Sequence, residues 1–407
     1  MEAKSLKEAL KALNSFESLH KNTEIVPLFN ALNRILAQDI FVQKSLPSFS
    51  NSAMDGYVVR LNDAGKVVKI KTSIFAGDRE NITLKDGECA KIMTGARVPQ
   101  GAQAVVPFEE IQEGLDAKES VTLPLKIKEN ANIRFEGEEL KKDSLLFKAG
   151  VVLDENHLSM LAAQGISYIC VKEPLKIGIF AGGNELKEPW KQAQAHEIYN
   201  SNATMIFQNL KKIGLDATYG GILSDNLQEI KNALDSSFDV IFTSGGASKG
   251  EADLIAKALQ EIGAEFVIKG VNIKPGKPIM VAKKGAKIFV ALPGNPLAGA
   301  VLLRLLILPF LKRLSGAKAC YLMPLILENV EEFSKKERMD AMLGLCDEKG
   351  FKLTQKGKYS SGQLMPLLQS NSLAVFSENC TKIEKNQKIK ILPFNAIWSE
   401  EEMDYIN

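Results

Sequence analysis

Asp239-Val-Ile-Phe242 runs straight into Thr243-Ser244-Gly245-Gly246, and the same change of character occurs twice more in this chain. Lys176-Ile-Gly-Ile-Phe180 stops at Ala181-Gly182-Gly183-Asn184-Glu185, and Lys287-Ile-Phe-Val-Ala-Leu292 stops at Pro293-Gly294-Asn295-Pro296. Short apolar runs bounded by glycine and proline predict buried strands. Helical periods follow. One helix is expected from about Asn202 to Ile213, with Gly214 as its stop. A second follows Asp225, with Leu227, Ile230 and Leu234 on one face. A third follows Gly250, with Leu254, Ile255, Ala258 and Leu259 inward and Gly263 beyond it. The last starts at Pro296 and ends near Gly316. Strand, loop and helix in repetition predict a doubly wound α/β domain whose ligand site lies at the carboxyl ends of the strands. Loops poor in side chains let backbone N–H groups approach an anion, and helix starts add positive dipole ends. The expected ligand is a phosphorylated small molecule.

Working outward, Lys172-Glu173-Pro174 marks a boundary, giving expected domains 1–172, 173–317 and 318–407. Residues 1–36 read as one or two amphipathic helices: Leu6, Ala9, Leu10 and Leu13 fall at helical spacing, and Val26 to Leu36 repeats the pattern. Residues 37–170 hold short β-like runs among many Gly and Pro, including Val67 to Lys71, Ala104 to Pro107 and Ser120 to Lys128, and predict β-rich lobes. After residue 318 the helical period is lost again. Phe351 to Thr354, Leu373 to Phe376 and Lys388 to Pro393 are strand-like, and a small β-barrel or sandwich is expected. No fixed-period repeat or low-complexity segment is visible.

The 407 residues carry 45% hydrophobic and 25% charged side chains with a net charge of +2. That is an ordinary globular composition, with no bulk charge to argue for nucleic acid or a membrane surface. The five cysteines are scattered, odd in number and without a CxxC pair, and the three histidines have no metal-ligand spacing with them. Free thiols in a reduced compartment and no zinc site follow. No apolar signal core opens the chain, and Val301 to Leu311 is too short and too interrupted to span a bilayer. A cytoplasmic protein is the expectation.

Four carboxylates, Glu185, Asp225, Glu251 and Asp253, sit beside the loops already named. Singly they read as helix caps and first-turn acids, Asp225 with Gln228 forming a capping box. Gathered on one edge they suggest a magnesium site for phosphate chemistry. Lys274 and Lys277, in a segment stiffened by Pro275 and Pro278, offer fixed positive charges to a phosphate. Read alone, Pro47 to Tyr57, Ile92 to Pro99 and Asn132 to Glu139 are surface loops, the first with an Asp55-Gly56 turn.

Taken together, these segments resemble the MoeA family of molybdopterin molybdenumtransferases, whose eukaryotic relatives include gephyrin. The resemblance is carried by Phe49-Ser-Asn-Ser-Ala-Met-Asp-Gly-Tyr57, Ile92-Met-Thr-Gly95, Asn132-Ile-Arg134 with Gly137-Glu138, and Asn184-Glu185-Leu186. It continues through Ile198-Tyr-Asn-Ser-Asn202, Ser244-Gly-Gly-Ala-Ser248 with Gly250-Glu-Ala-Asp253, Ile273-Lys-Pro-Gly-Lys-Pro278 and Leu292-Pro-Gly-Asn-Pro296. The motifs run in family order from about residue 45 to 300.

The resemblance implies a MogA-like central domain, and insertion of molybdate into adenylylated molybdopterin with release of AMP. It also implies a homodimer whose sites draw on both chains, and contact with the molybdopterin adenylyltransferase. Carried over by motif, Asp55, Thr94, Glu185, Asp225 and Asp253 would be catalytic, and Glu185, Asp225 and Asp253 would hold Mg²⁺. Pterin and phosphates would meet Ser244, Gly245, Gly246, Ser248, Lys274, Lys277, Pro293, Gly294, Asn295 and Pro296. Arg134 and Glu139 would lie near molybdate. The chain departs from the family's usual residues at Ser50, Asn184 and Glu139, where Asp is common, and at Lys249. A competing expectation is a scaffold protein that kept the fold and lost turnover. Another is a molybdopterin adenylyltransferase or a CinA-type nucleotide hydrolase on the same middle domain.

Overall fold

The computed structural model of the chain describes residues 2–19, 22–245 and 252–407. It resolves into two compact units: residues 39–148 with 162–165, and the remainder of the chain.

The larger unit is organised around a six-stranded sheet. In spatial order its strands are Ala217–Leu223, Ile177–Gly182, Val240–Ser244, Lys287–Leu292, Met280–Lys284 and Glu265–Lys269. The first four run parallel and the last two are antiparallel. Val240, Ile241, Phe242, Ile288, Phe289 and Val290 are all buried, as expected for strands covered on both faces. The helices Asn202–Lys212, Leu227–Leu234, Ala252–Glu261 and Pro296–Leu302 alternate with the strands. The order places the Ile177 and Val240 strands side by side at the sheet's centre, where the direction of winding reverses.

The helix that starts at Pro296 runs on through a π turn, Leu303–Ile307, into Leu308–Leu314. Pro309 explains the widened turn. It has no N–H to close an α turn onto Leu305, and its ring needs the space that a π turn opens.

The C-terminal segment forms a nearly closed barrel-like sheet in the order Leu325–Glu328, Lys388–Pro393, Ser372–Phe376, Asp340–Asp347 and Gly350–Leu353. It shares its core with the α/β layers. Leu343, Leu373 and Val375 belong to the same buried cluster as Phe242, Val290 and Leu306. The helix Leu6–Asn14 joins that cluster through Leu6, Ala9 and Leu13, and is started by a capping box between Ser5 and Glu8.

The helical reading of Val26 to Leu36 does not hold. Thr23–Pro27 is a strand paired with Tyr168–Lys172, and a short 3₁₀ turn follows. Pro27 removes an N–H, and Asn33 adopts φ 62°, so two positions oppose a continuous helix.

The smaller unit holds a five-stranded sheet in the order Ala104–Pro107, Gly56–Val59, Glu88–Ile92, Val67–Ile74 and Ser120–Thr122. Tyr57, Val59, Cys89 and Val121 fill one side of it, and Val58, Ala90 and Ile92 fill the other. The strand expected to reach Lys128 ends at Thr122, just before the Leu123-Pro124 step.

Lys312 is the unusual core residue. It is 6% exposed and lies over the Trp398 ring at 4.8 Å, and no salt bridge to it occurs among the described residues. Burial pushes its ammonium down to about 8. Between that value and the ordinary lysine range the unfolded chain binds the extra proton, so stability should rise with pH across that window. Lys312→Met should remove the rise and add about 2 kcal/mol of stability at pH 7, read from urea unfolding at pH 7, 8.5 and 10.

Candidate active site

The sites expected on the three loops do converge. Gly182, Glu185, Asn202, Ser244, Gly245 and the Pro293 to Pro296 turn line one cavity of about 500 Å³ at the carboxyl ends of the strands. That volume suits a small-molecule ligand. The approach of the loops depends on absent side chains. Gly245 has φ +93°, and a Cβ there would run into the Gly182 carbonyl. Gly183 has φ +135°, and a Cβ there would stand 2.7 Å from the Glu185 carboxylate, which folds over it. The lining carries polar atoms without a hydrogen-bond partner among the described residues: Ser244 Oγ and Asn202 Oδ1 are buried and unpaired. Buried polar groups in this state are set up to meet a ligand or water.

The carboxylates have separate settings. Glu185 is exposed and faces the cavity. Asp225 is exposed and does not cap the helix that follows. The cap is Asn226, whose Oδ1 accepts from the N–H groups of Gln228 and Glu229 at 2.9 and 3.1 Å. That frees the Asp225 carboxylate, whose one side-chain partner among the described residues is the Asn184 amide, donating Nδ2–H to Oδ2 at 2.6 Å. A neutral amide at 184 thus steadies Asp225 where a second carboxylate would repel it. Asp253 lies in the first turn of the helix Ala252–Glu261, and its side chain is outside the described residues, as are Gly246, Ser248 and Glu251. Among the described residues no three metal-ligating side chains cluster. Glu185 and Asp225 are oxygen donors of the kind that Mg²⁺ takes alongside substrate phosphates and water.

Lys274 and Lys277 line an adjoining cavity of about 720 Å³ with Asn295, Arg338 and Ser361. The barrel holds this segment in place. Lys274 N–H donates to the Met339 carbonyl at 3.0 Å, and Ala341 N–H donates to the Lys274 carbonyl at 2.8 Å. Leu297 N–H, at the start of a helix, donates to the Ser361 carbonyl at 3.1 Å. Arg338 is steadied by Asp340, with Nε donating at 2.9 Å. Three cations around one space can hold a phosphate or another oxyanion. Arg338 and Ser361 were not expected from sequence. They stand in aperiodic β-rich stretches and reach this place only through long-range packing.

The smaller unit brings its own expected residues together. Thr94 donates its N–H and its hydroxyl to Asp55 Oδ1 at 2.6 and 2.8 Å. These bonds, the backbone one first, hold the Asp55 carboxyl below the usual range. Asn51 pairs with Arg134, and Ala53 N–H donates to the Asn132 carbonyl at 2.9 Å. Gly95 N–H donates to the Ser52 carbonyl at 2.8 Å, and Glu136 N–H to Ser50 Oγ at 3.2 Å. Arg134 and Glu139 are exposed on the same stitched edge, Glu139 N–H donating to the Leu46 carbonyl at 3.0 Å. The three loops that look bland one by one are therefore a single polar edge.

A doubly wound domain with a polar cavity at the carboxyl ends of its strands defines a class of proteins that take small-molecule ligands, and a separate β-rich unit carries its own fixed carboxylate. Residues 4–165 match the family described as MoeA N-terminal region (domain I and II), and residues 178–313 match the probable molybdopterin binding domain. The molybdopterin molybdenumtransferase of Haemophilus influenzae is 33% identical over 385 residues, covering 92% of this chain and 95% of that protein. Its counterpart in Staphylococcus epidermidis is 27% identical over 413 residues, covering 98% of this chain and 97% of that protein. The molybdopterin biosynthesis moeA protein of Pyrococcus horikoshii shares the fold, with a TM-score of 0.82 at 24% identity over 96% of this chain and 99% of that one. The chain belongs to the MoeA family of molybdopterin molybdenumtransferases.

Two outcomes test this geometry. Gly245→Ala should cost at least about 2 kcal/mol, from backbone strain and collision with Gly182, and should open the cavity; a urea melt measures the cost. Thr94→Ala removes the hydroxyl bond and leaves the stronger backbone bond. Asp55 should then titrate above its wild-type value yet still below the ordinary range, as followed by carboxyl NMR. The stabilisation that Asp55 draws from Thr94 is present above the unfolded carboxyl range and is lost as pH falls through the folded value.

Proposed function

We propose that this protein inserts molybdenum into molybdopterin, taking adenylylated molybdopterin and molybdate as substrates and releasing AMP. One observation carries the reading: similarity to a molybdopterin molybdenumtransferase at 33% identity over 92% of this chain, supported by the cavity that Glu185, Ser244, Gly245 and Pro293 to Pro296 line. The bond to be broken is the phosphoanhydride between the pterin phosphate and the adenylate. In this reading the N–H groups of the Ser244–Gly245 and Pro293 to Pro296 turns hold the phosphates. Lys274, Lys277 and Arg338 offset the charge of the phosphates and of incoming molybdate. Glu185 and Asp225, with Asp253, would hold Mg²⁺, which when bound supplies Lewis-acid stabilisation of the phosphoryl oxygens. Asp55 from the partner chain, kept ionised by Thr94, would orient the attacking oxygen, and Arg134 and Glu139 would assist with molybdate.

A homodimer with shared sites, a cytoplasmic location and contact with a molybdopterin adenylyltransferase belong to the same proposal. The free cysteines agree with a reducing compartment. Among the described residues no helix is long and apolar enough to cross a membrane.

Purified protein given adenylylated molybdopterin, Mg²⁺ and molybdate should release AMP in a molybdate-dependent way. Asp225→Ala should reduce the rate by about 10²-fold or more. Tight substrate binding without AMP release would sink the transferase reading in favour of a scaffold. Shared sites have a separate test. Asp55→Ala and Asp225→Ala chains, each inactive alone, should recover about a quarter of wild-type activity when unfolded and refolded together as a random mixture. No recovery means that each site is built from one chain.

A further inference from the structure

The cavity at the sheet edge has a polar floor and one apolar wall that the phosphate reading leaves unused. Tyr199, Ile198 and Leu364 all line it, and they are 51%, 57% and 44% exposed. Ile198 and Tyr199 form a short strand paired with Leu186–Lys187, immediately after Glu185. Leu364 comes from the barrel segment whose Ser361 carbonyl receives the Leu297 N–H. These are not core residues that failed to pack. Tyr199 is held in place: its hydroxyl oxygen accepts from the Ala193 N–H at 3.2 Å, and the next residue, Asn200, donates its N–H to the Lys187 carbonyl at 2.9 Å. No aromatic partner lies against the Tyr199 ring among the described residues. A held, half-exposed ring on the wall of a 500 Å³ cavity is available for contact with whatever enters.

We propose that Tyr199, flanked by Ile198 and Leu364, is a stacking wall for a planar heterocycle of the substrate, and that it sets specificity for that ring. The polar end of the cavity, at Ser244, Gly245 and Gly294, takes the phosphate. The apolar end takes the ring attached to it. The sequence-tolerant part of nucleotide recognition by proteins comes from this kind of ring-on-ring contact. The identity of the ring rests on the transferase reading, in which the substrate carries two heterocycles, pterin and adenine. Both share the chemistry that the wall would recognise.

Isothermal titration calorimetry of the full chain distinguishes them with three probes: AMP, neopterin, and ribose 5-phosphate as the control without an aromatic heterocycle. Tyr199→Ala should weaken one ring-bearing probe by about tenfold while leaving ribose 5-phosphate unchanged, and Tyr199→Phe should retain wild-type affinity within about twofold. Loss confined to AMP assigns the wall to adenine, and loss confined to neopterin assigns it to the pterin. Tyr199→Leu, which keeps apolar bulk without a π face, should lie between, and thermal melts of each variant check the fold. Equal affinities of wild type and Tyr199→Ala for both ring-bearing probes overturn the proposal. So does a wild-type protein that binds neither of them more tightly than ribose 5-phosphate. AMP release from adenylylated molybdopterin is measured in parallel on the wild type. Intact release with an unresponsive Tyr199 removes the stacking wall alone, whereas absent release removes the transferase reading.

Discussion

The contact between Gly245 and the Gly182 carbonyl is the constraint on which the site depends. Two parallel neighbours in the sheet, Ile177–Gly182 and Val240–Ser244, end side by side, and their loops must turn away without side chains between them. Only then can backbone N–H groups line a shared space. The buried strands beneath supply the rigidity. Val240, Phe242 and Val290 are sealed under helices, so the loop ends are positioned by a core that has little freedom to relax. Loop ends fixed in this way can present dipoles already oriented, the arrangement that an anionic ligand would need.

In each unit an expected carboxylate is steadied by neutral partners rather than by ionic ones. Asp225 is steadied by the Asn184 amide, and Asp55 by two donors from Thr94. Both carboxylates stay exposed and able to meet a cation or a reacting group. The cations Lys274, Lys277 and Arg338 meet because a barrel strand and a proline-stiffened segment exchange backbone hydrogen bonds. The barrel is thus part of the site's architecture, and it shares a hydrophobic cluster with the α/β layers.

Much of this could be read from the residues. Ser244-Gly245 and Pro293-Gly294-Asn295-Pro296 announced their loops because glycine and proline act locally on φ, ψ and hydrogen bonding. Helix faces such as Ile255, Ala258 and Leu259 were legible because burial repeats at the helical period. Val26 to Leu36 misled because apolar residues at helical spacing also occur in a strand and turn, and the partner that decides between them, Tyr168–Lys172, is distant in the chain. Asp225 looked like a cap with Gln228 nearby. Asn226 took that role because its side chain reaches two N–H groups at once, which spacing alone does not reveal.

The sequence by itself determined the alternation of strands and helices, the three turns that line the cavity and the family, since each rests on local conformational preference or on ordered motifs. Tertiary structure alone decided that Asp55 is gripped by Thr94, that Arg338 and Ser361 join the lysines, and that Tyr199 and Leu364 wall the same cavity. Those groupings join residues from about forty to over one hundred and sixty positions apart in the chain. No local propensity encodes them; they exist only once the sheet, the barrel and the loops have been packed into one arrangement.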